Sequence, residues 1–173
     1  HGFNKTTMKV IAKKRGISRR TLYRTFSTRS QLLTALFKKH IDNKFKETKN
    51  FISRLEFDEA IIQGTIYGIN LLQKDHLIME LTYGSGSSWF QKQMLDYDSP
   101  LYQLILSTDG KFWGSWLDQA KEDGIINRYL TNSEILGWYC NVQYMMIIHV
   151  SASDDDKRAL LEKFFLPSLK GDT

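Results

Sequence analysis

The chain has one cysteine and two prolines in 173 residues, and no run of about 18 uninterrupted apolar residues. Each scarcity excludes something. Cys140 alone can form neither an intramolecular disulfide nor an all-cysteine zinc site. Without a long apolar run there is no candidate transmembrane helix, and no secretory signal pattern opens the sequence. The expectation is a soluble, cytoplasmic protein. Pro100 and Pro167 leave long stretches free of helix breakers, and strand-like alternation with hairpin turn pairs is missing. His1, His40, His76 and His149 share no ligand spacing with one another or with Cys140, so no metal is expected. Gly84-Ser85-Gly86-Ser87-Ser88 lacks the lysine of a phosphate loop and the strand that should precede one. No serine has a paired histidine and acid at a recognisable spacing. Neither an enzyme nor a bound cofactor is expected.

What is present is an apolar fraction of 42%, enough for a real core, and a charge that is unevenly placed. Residues 1–49 hold 14 Lys/Arg against two acids, which gives +12; residues 50–173 hold 10 against 17, which gives −7. These add to the net +5 of the whole chain. A basic block of this kind binds a polyanion or an anionic membrane, or is simply a solvated face. The pattern inside the block has to decide.

Hydrophobic residues recur with a period near 3.6, and nearly all of the chain reads as helix. The first segment is Thr7–Arg15, with Met8, Ile11 and Ala12 on one face and Thr6 or Thr7 as cap. Gly16 follows three basic residues and stops it. Ser18 caps a second short helix ending near Thr25, and Ser27 caps a long third one. Further on, the spacing predicts helices over Phe57–Gln73, Asp75–Tyr83, Pro100–Glu122, Thr131–Val150 and Asp156–Leu169. A helical turn is expected over Trp89–Leu95, after a flexible 84–88 loop. Asp154-Asp155-Asp156 reads as a solvated loop capping the last helix, and Cys140 as a packed, inert thiol.

Two short helices joined by Gly16-Ile17-Ser18 make a helix-turn-helix. Ala12 is small enough for the second helix to cross above it, Gly16 makes the turn, Ile17 plugs the angle and Leu22 faces the shared core. Ser18, Arg19, Arg20, Thr21 and Arg24 then point outward at the end that enters a major groove, where arginine bonds a guanine edge in two places. The plain alternative is a basic hairpin with a solvated face.

The stretch Thr6-Thr7-Met8-x-x-Ile11-Ala12-x-x-x-Gly16-Ile17-Ser18-x-x-Thr21-Leu22-Tyr23-x-x-Phe26-x-x-Arg29-x-x-Leu32-Leu33 resembles the DNA-binding domain of tetracycline-repressor (TetR) family regulators over residues 2–45. The resemblance implies an all-α homodimer whose N-terminal helix-turn-helix domain, residues 1–49, binds operator DNA. Residues 50–173 would then form a helical effector-binding and dimerisation domain. It implies phosphate contacts for Thr7 and Tyr23, base reading by Arg19, Arg20 and Thr21 beside Ser18, and a backbone or base contact for Arg24. Arg29 stands where the family commonly has lysine, beside the DNA backbone, and Leu22 and Phe26 fall in the small core. Two departures stand out: Thr25 occupies a place where His or Tyr is usual, and His1 lies close to the end of the family's first helix, so an N-terminal segment is expected to be missing.

Residues 50–173 hold all four tryptophans. Tyr67, Tyr83, Trp113, Trp116 and Tyr139 either pack as core or line a cavity for a sizeable, apolar or aromatic effector. The last two helices carry wide apolar faces, including Trp138, Val142, Met146, Leu161 and Phe165. Either these are buried inside the monomer or they form an intersubunit bundle. Such a dimer would hold its recognition helices about 34 Å apart on a palindrome. Taken together, the sequence suggests a bacterial repressor released from its double-stranded operator by a small molecule. The alternatives are an architectural or nucleoid DNA-binding protein without an effector, and a helical small-molecule-binding or enzymatic domain whose basic block serves solubility.

Overall fold

The computed structural model describes residues 7–149 and 151–170, and among them every regular element is helical. His1, the candidate cap Thr6 and the expected helix end at Val150 lie outside the described residues. The elements are α1 (Met8–Arg15), α2 (Arg19–Thr25), α3 (Arg29–Ile52), α4 (Phe57–Gln73), α5 (His76–Thr82), α6 (Ser87–Leu95), α7 (Pro100–Glu122), α8 (Asn132–Ile148) and α9 (Asp154–Leu160). α9 runs through a π-helical turn, Leu161–Phe165, into α10 (Leu166–Leu169).

Most ends follow from local chemistry. Thr7, Ser18, Asp75, Ser99 and Thr131 each accept a backbone N–H of the first turn they cap. At the third helix the cap is Thr28, whose side chain accepts from Gln31 N, and not Ser27. Gln31 reaches back instead, and its Oε1 accepts from both N and Oγ of Ser27 at 2.9 Å. The last helix starts two residues earlier than expected. Ser153 is its cap, and Asp154, Asp155 and Asp156 form its acidic first turn, where they complement the helix dipole. Pro167 has no N–H to give the carbonyl four residues before it, and the wider π turn comes just ahead, with Leu166 N bonded to Leu161 O. α6 begins at Ser87, inside the expected loop.

Two apolar clusters result. A small one joins Met8, Ala12, Leu22 and Leu32, with Ile11 and Phe26 at its edge. A large one fills the rest of the described chain and begins on the same helix at Leu33. α3 therefore enters both cores, running unbroken across residues 49 and 50. It packs against α4 and α7; α7 also packs on α8, and α4 lies against α8 and α9. At Gly64 a methyl group would come within 2.9 Å of Ile52 Cγ2 and 3.3 Å of the Trp113 ring. Glycine is what lets α3, α4 and α7 meet so closely there.

Candidate nucleic-acid interface

α1 and α2 are set by the turn between them. Gly16 adopts φ 65°, ψ 24°, a left-handed conformation that costs glycine least, and Ile17 N bonds Ala12 O at 3.1 Å. Ala12 is buried where α2 crosses, as its size suggests. Ile17 does not plug the angle: it is 40% exposed and lines a hollow with Ile11, Leu22 and Leu32.

Around α2 the polar side chains divide. Ser18 Oγ accepts Thr21 N at 3.0 Å and lies 2.9 Å from Thr21 Oγ1, so these two hydroxyls hold the helix start and each other. Arg19, Arg20 and Arg24 are exposed and make no hydrogen bond or ion pair among the described residues. An unpaired arginine cluster at a capped helix start keeps its full donor capacity for an outside acceptor. Tyr23 is 50% exposed. Thr7 is also exposed, and its Oγ1 accepts Val10 N at 3.3 Å, which leaves its O–H to donate elsewhere. Arg29, the first residue of α3, is half-buried and engaged within the chain.

α3 links this end to the body by polar contacts as well as by its two cores. Ser30 Oγ donates to Gln93 Oε1 at 3.2 Å and accepts the Trp89 indole N–H at 3.3 Å. About three to four turns on, Lys44 Nζ lies 2.6 Å and His40 Nδ1 2.9 Å from Asp75 Oδ2. Asp75 is nearly buried. Burial pushes its carboxyl up, but the bonds from Lys44, His40 and Ile78 N outweigh that and hold it well below the usual range.

The body contains two small adjoining cavities, about 40 and 60 Å³, which share Phe45, Ile69, Leu72 and Gln143. Of the five aromatics expected around a pocket, Trp113 and Tyr139 line the first. The other three do not. Tyr67 stacks on Phe51 with ring centroids 4.6 Å apart, Tyr83 donates its hydroxyl to Ile147 O at 2.7 Å, and Trp116 borders a separate open groove beside Phe57. The last two helices also need correction: Val142, Met146, Leu161 and Phe165 are buried within the single chain, so they are core residues. Trp138 is 42% exposed. It is tied to the C-terminal helix by its indole N–H, which donates to Ser168 Oγ at 3.2 Å.

Sequence reasoning missed Asp109. It lies in α7, fully buried, with Oδ2 accepting from Cys140 Sγ at 3.6 Å and Oδ1 without a partner among the described residues. Burial pushes its carboxyl up to about 7, against the weaker pull of bonds from Cys140 and Gln143. Burial, with the Asp109 charge beside it, also pushes the Cys140 thiol far up. Among the described residues no group of three His, Cys, Asp or Glu could hold a metal, and no helix is long and apolar enough to cross a membrane.

Residues 1–36 match the family model for bacterial regulatory proteins of the tetR family. No curated protein and no solved structure gives a significant match to the chain. With its capped α2 and its left-handed Gly16 turn, the N-terminal segment of this chain forms a helix-turn-helix similar to that of the tetR family of bacterial regulatory proteins.

Proposed function

We propose that this regulator is a cytoplasmic homodimeric repressor that reads operator DNA with α2 and leaves it when a small molecule enters the body. The observation that carries the DNA half is the free Arg19, Arg20 and Arg24 on an exposed, Ser18-capped helix start. In this reading Arg19 and Arg20 take base edges, with Ser18 and Thr21 beside them. Thr7, Tyr23 and Arg29 fix the module on the phosphates, and Arg24 reaches either. The +12 of residues 1–49 against the −7 of residues 50–173 orients the molecule, basic end toward the duplex. Residues 1–49 supply the DNA module, and residues 50–173 supply effector binding and dimerisation.

Pairing through the outer side of α8 and the C-terminal helix is supported by the exposed Trp138, Met145 and Phe164. Trp138 and Met145 are seven residues apart and share a helix face. An effector acts only through its differential affinity for the DNA-competent and incompetent states. A second reading, a DNA-binding protein of the same fold without an effector, is favoured by cavity size. The two hollows in the core, about 40 and 60 Å³, are far below the roughly 300–1,000 Å³ of ordinary ligand sites, and the groove of about 290 Å³ beside Trp116 and Phe57 is open to solvent.

The test is selection of a bound duplex from a random pool, followed by affinity measurements on variants. Tyr23→Phe should weaken all sequences alike, whereas Arg19→Ala should relax discrimination at one position by roughly 1–3 kcal/mol. A Tyr23→Phe protein with altered sequence preference would reverse these roles.

A further inference from the structure

The first cavity is walled by Phe45, Thr48, Gly68, Phe112, Trp113 and Tyr139, among others, and a single cation, Lys44, is part of its lining. No carboxylate lines it. Lys44 Nζ donates to Asp75 Oδ2 and, at 3.1 Å, to His40 O. An ammonium has three N–H donors, so one remains beyond these two. Asp75, for its part, keeps other hydrogen bonds when Lys44 is shared. Its Oδ1 accepts the amides of Leu77 at 3.0 Å and Ile78 at 3.2 Å, and its Oδ2 keeps His40. A lysine that can be shared or released without orphaning its partner, at the edge of an aromatic hollow, is a ready counter-ion.

The polar groups deeper in the wall are already committed. Thr65 Oγ1 bonds Ile61 O and lies 2.7 Å from Tyr139 Oη. Asp109 lies behind Cys140 and is not part of either lining. The size is small: an apolar cavity of about 150 Å³ holds one benzene ring. The two adjoining hollows, about 40 and 60 Å³, together stay below that, so a ring bearing a carboxylate enters only as the side chains they share move apart.

We infer that this cavity takes a single-ring-sized apolar molecule bearing one carboxylate, with Lys44 as its counter-ion. The inference rests on the effector reading above and names the chemistry of that site. An anion entering an apolar hollow must be paired, and Lys44 is the cation available among the lining residues.

The probes are phenylacetate, its neutral amide phenylacetamide, and the cation phenethylamine. Each is titrated calorimetrically into wild type, Lys44→Met and Asp75→Asn, with circular dichroism to confirm folding. Wild type should bind phenylacetate about tenfold more tightly than phenylacetamide. Lys44→Met should reduce that ratio to about one and leave the amide unaffected. Asp75→Asn keeps the Oδ1 cap but stops competing for Lys44, so phenylacetate affinity should rise about threefold. A merely structural lysine would not produce that rise. Equal binding of acid and amide, tighter binding of the amine, a carboxylate preference surviving in Lys44→Met, or no saturable binding of any probe would each overturn the inference. DNA affinity is followed in the same samples. Carboxylate-selective binding with unchanged DNA affinity upholds the Lys44 site and refutes the effector reading instead.

Discussion

Replacing Asp109 by asparagine should change how stability depends on pH more than how large it is. The Asp109 carboxyl is fully buried, and its folded value of about 7 stands against an ordinary 3.8. Between those values the folded state holds a proton that the unfolded state has released, so stability falls as pH rises. The contribution is fully present below about pH 4 and is lost by about pH 7. Three pKa units correspond to about 4 kcal/mol, at a slope approaching 1.4 kcal/mol per pH unit in the middle of the window. Asparagine is nearly isosteric and does not titrate. Its own cost, about 1–3 kcal/mol for an N–H left without a partner on the Oδ1 side, is constant with pH. Urea unfolding of wild type and Asp109→Asn from about pH 4.5 to 8 reads the difference directly, because every other titrating group cancels. The wild type should lose several kcal/mol relative to the variant across this range. Parallel curves would refute the argument that Asp109 folds as a neutral acid.

Other expectations follow from single sites. Gly68→Ala adds a methyl group 3.6 Å from Thr48 Oγ1, an ordinary contact, in mid-helix. It should raise the melting temperature, from a gain of about 1 kcal/mol, while weakening any ligand of the first cavity; a lowered melting temperature would mean that the wall cannot accept the methyl. Cys140 is buried with its thiol pushed far up, so Ellman's reagent should react with it only as fast as the protein opens; rapid labelling of the native state would contradict that burial. Ser18→Ala removes the cap on Thr21 N and should cost about 1 kcal/mol in chemical denaturation, with DNA binding weakened further because the α2 start frays; unchanged stability would show the cap to be idle.

Features fixed by neighbours in sequence were legible before the fold. Thr7, Ser18, Gly16 and Thr131 act where a cap or stop residue meets a change in apolar periodicity, and each ends or starts a helix as expected. The adjacent hydroxyls of Ser27 and Thr28 could not be separated that way, because either could accept a first-turn amide, and only the fold puts Gln31 N on Thr28 Oγ1 while the Gln31 side chain holds Ser27. Burial in the body was far less readable. The stripe bearing Val142, Met146, Leu161 and Phe165 is apolar whether it meets its own chain or a partner, and here it meets its own chain. Asp109 sits between polar neighbours, and only the packing of α7 on α8 shows that it is enclosed beside Cys140. Lys44 looks like one more member of the basic block until Asp75, 31 residues away, is found against it.

The central claim is that α2 reads DNA through its free arginines. Fluorescence anisotropy with a selected duplex and a scrambled one, for wild type and Arg20→Ala across a salt series, tests it most directly. The account predicts that Arg20→Ala loses roughly 1–3 kcal/mol of preference for the selected duplex while still binding both with a steep salt dependence. An Arg20→Ala protein with unchanged affinity and unchanged sequence preference would contradict it.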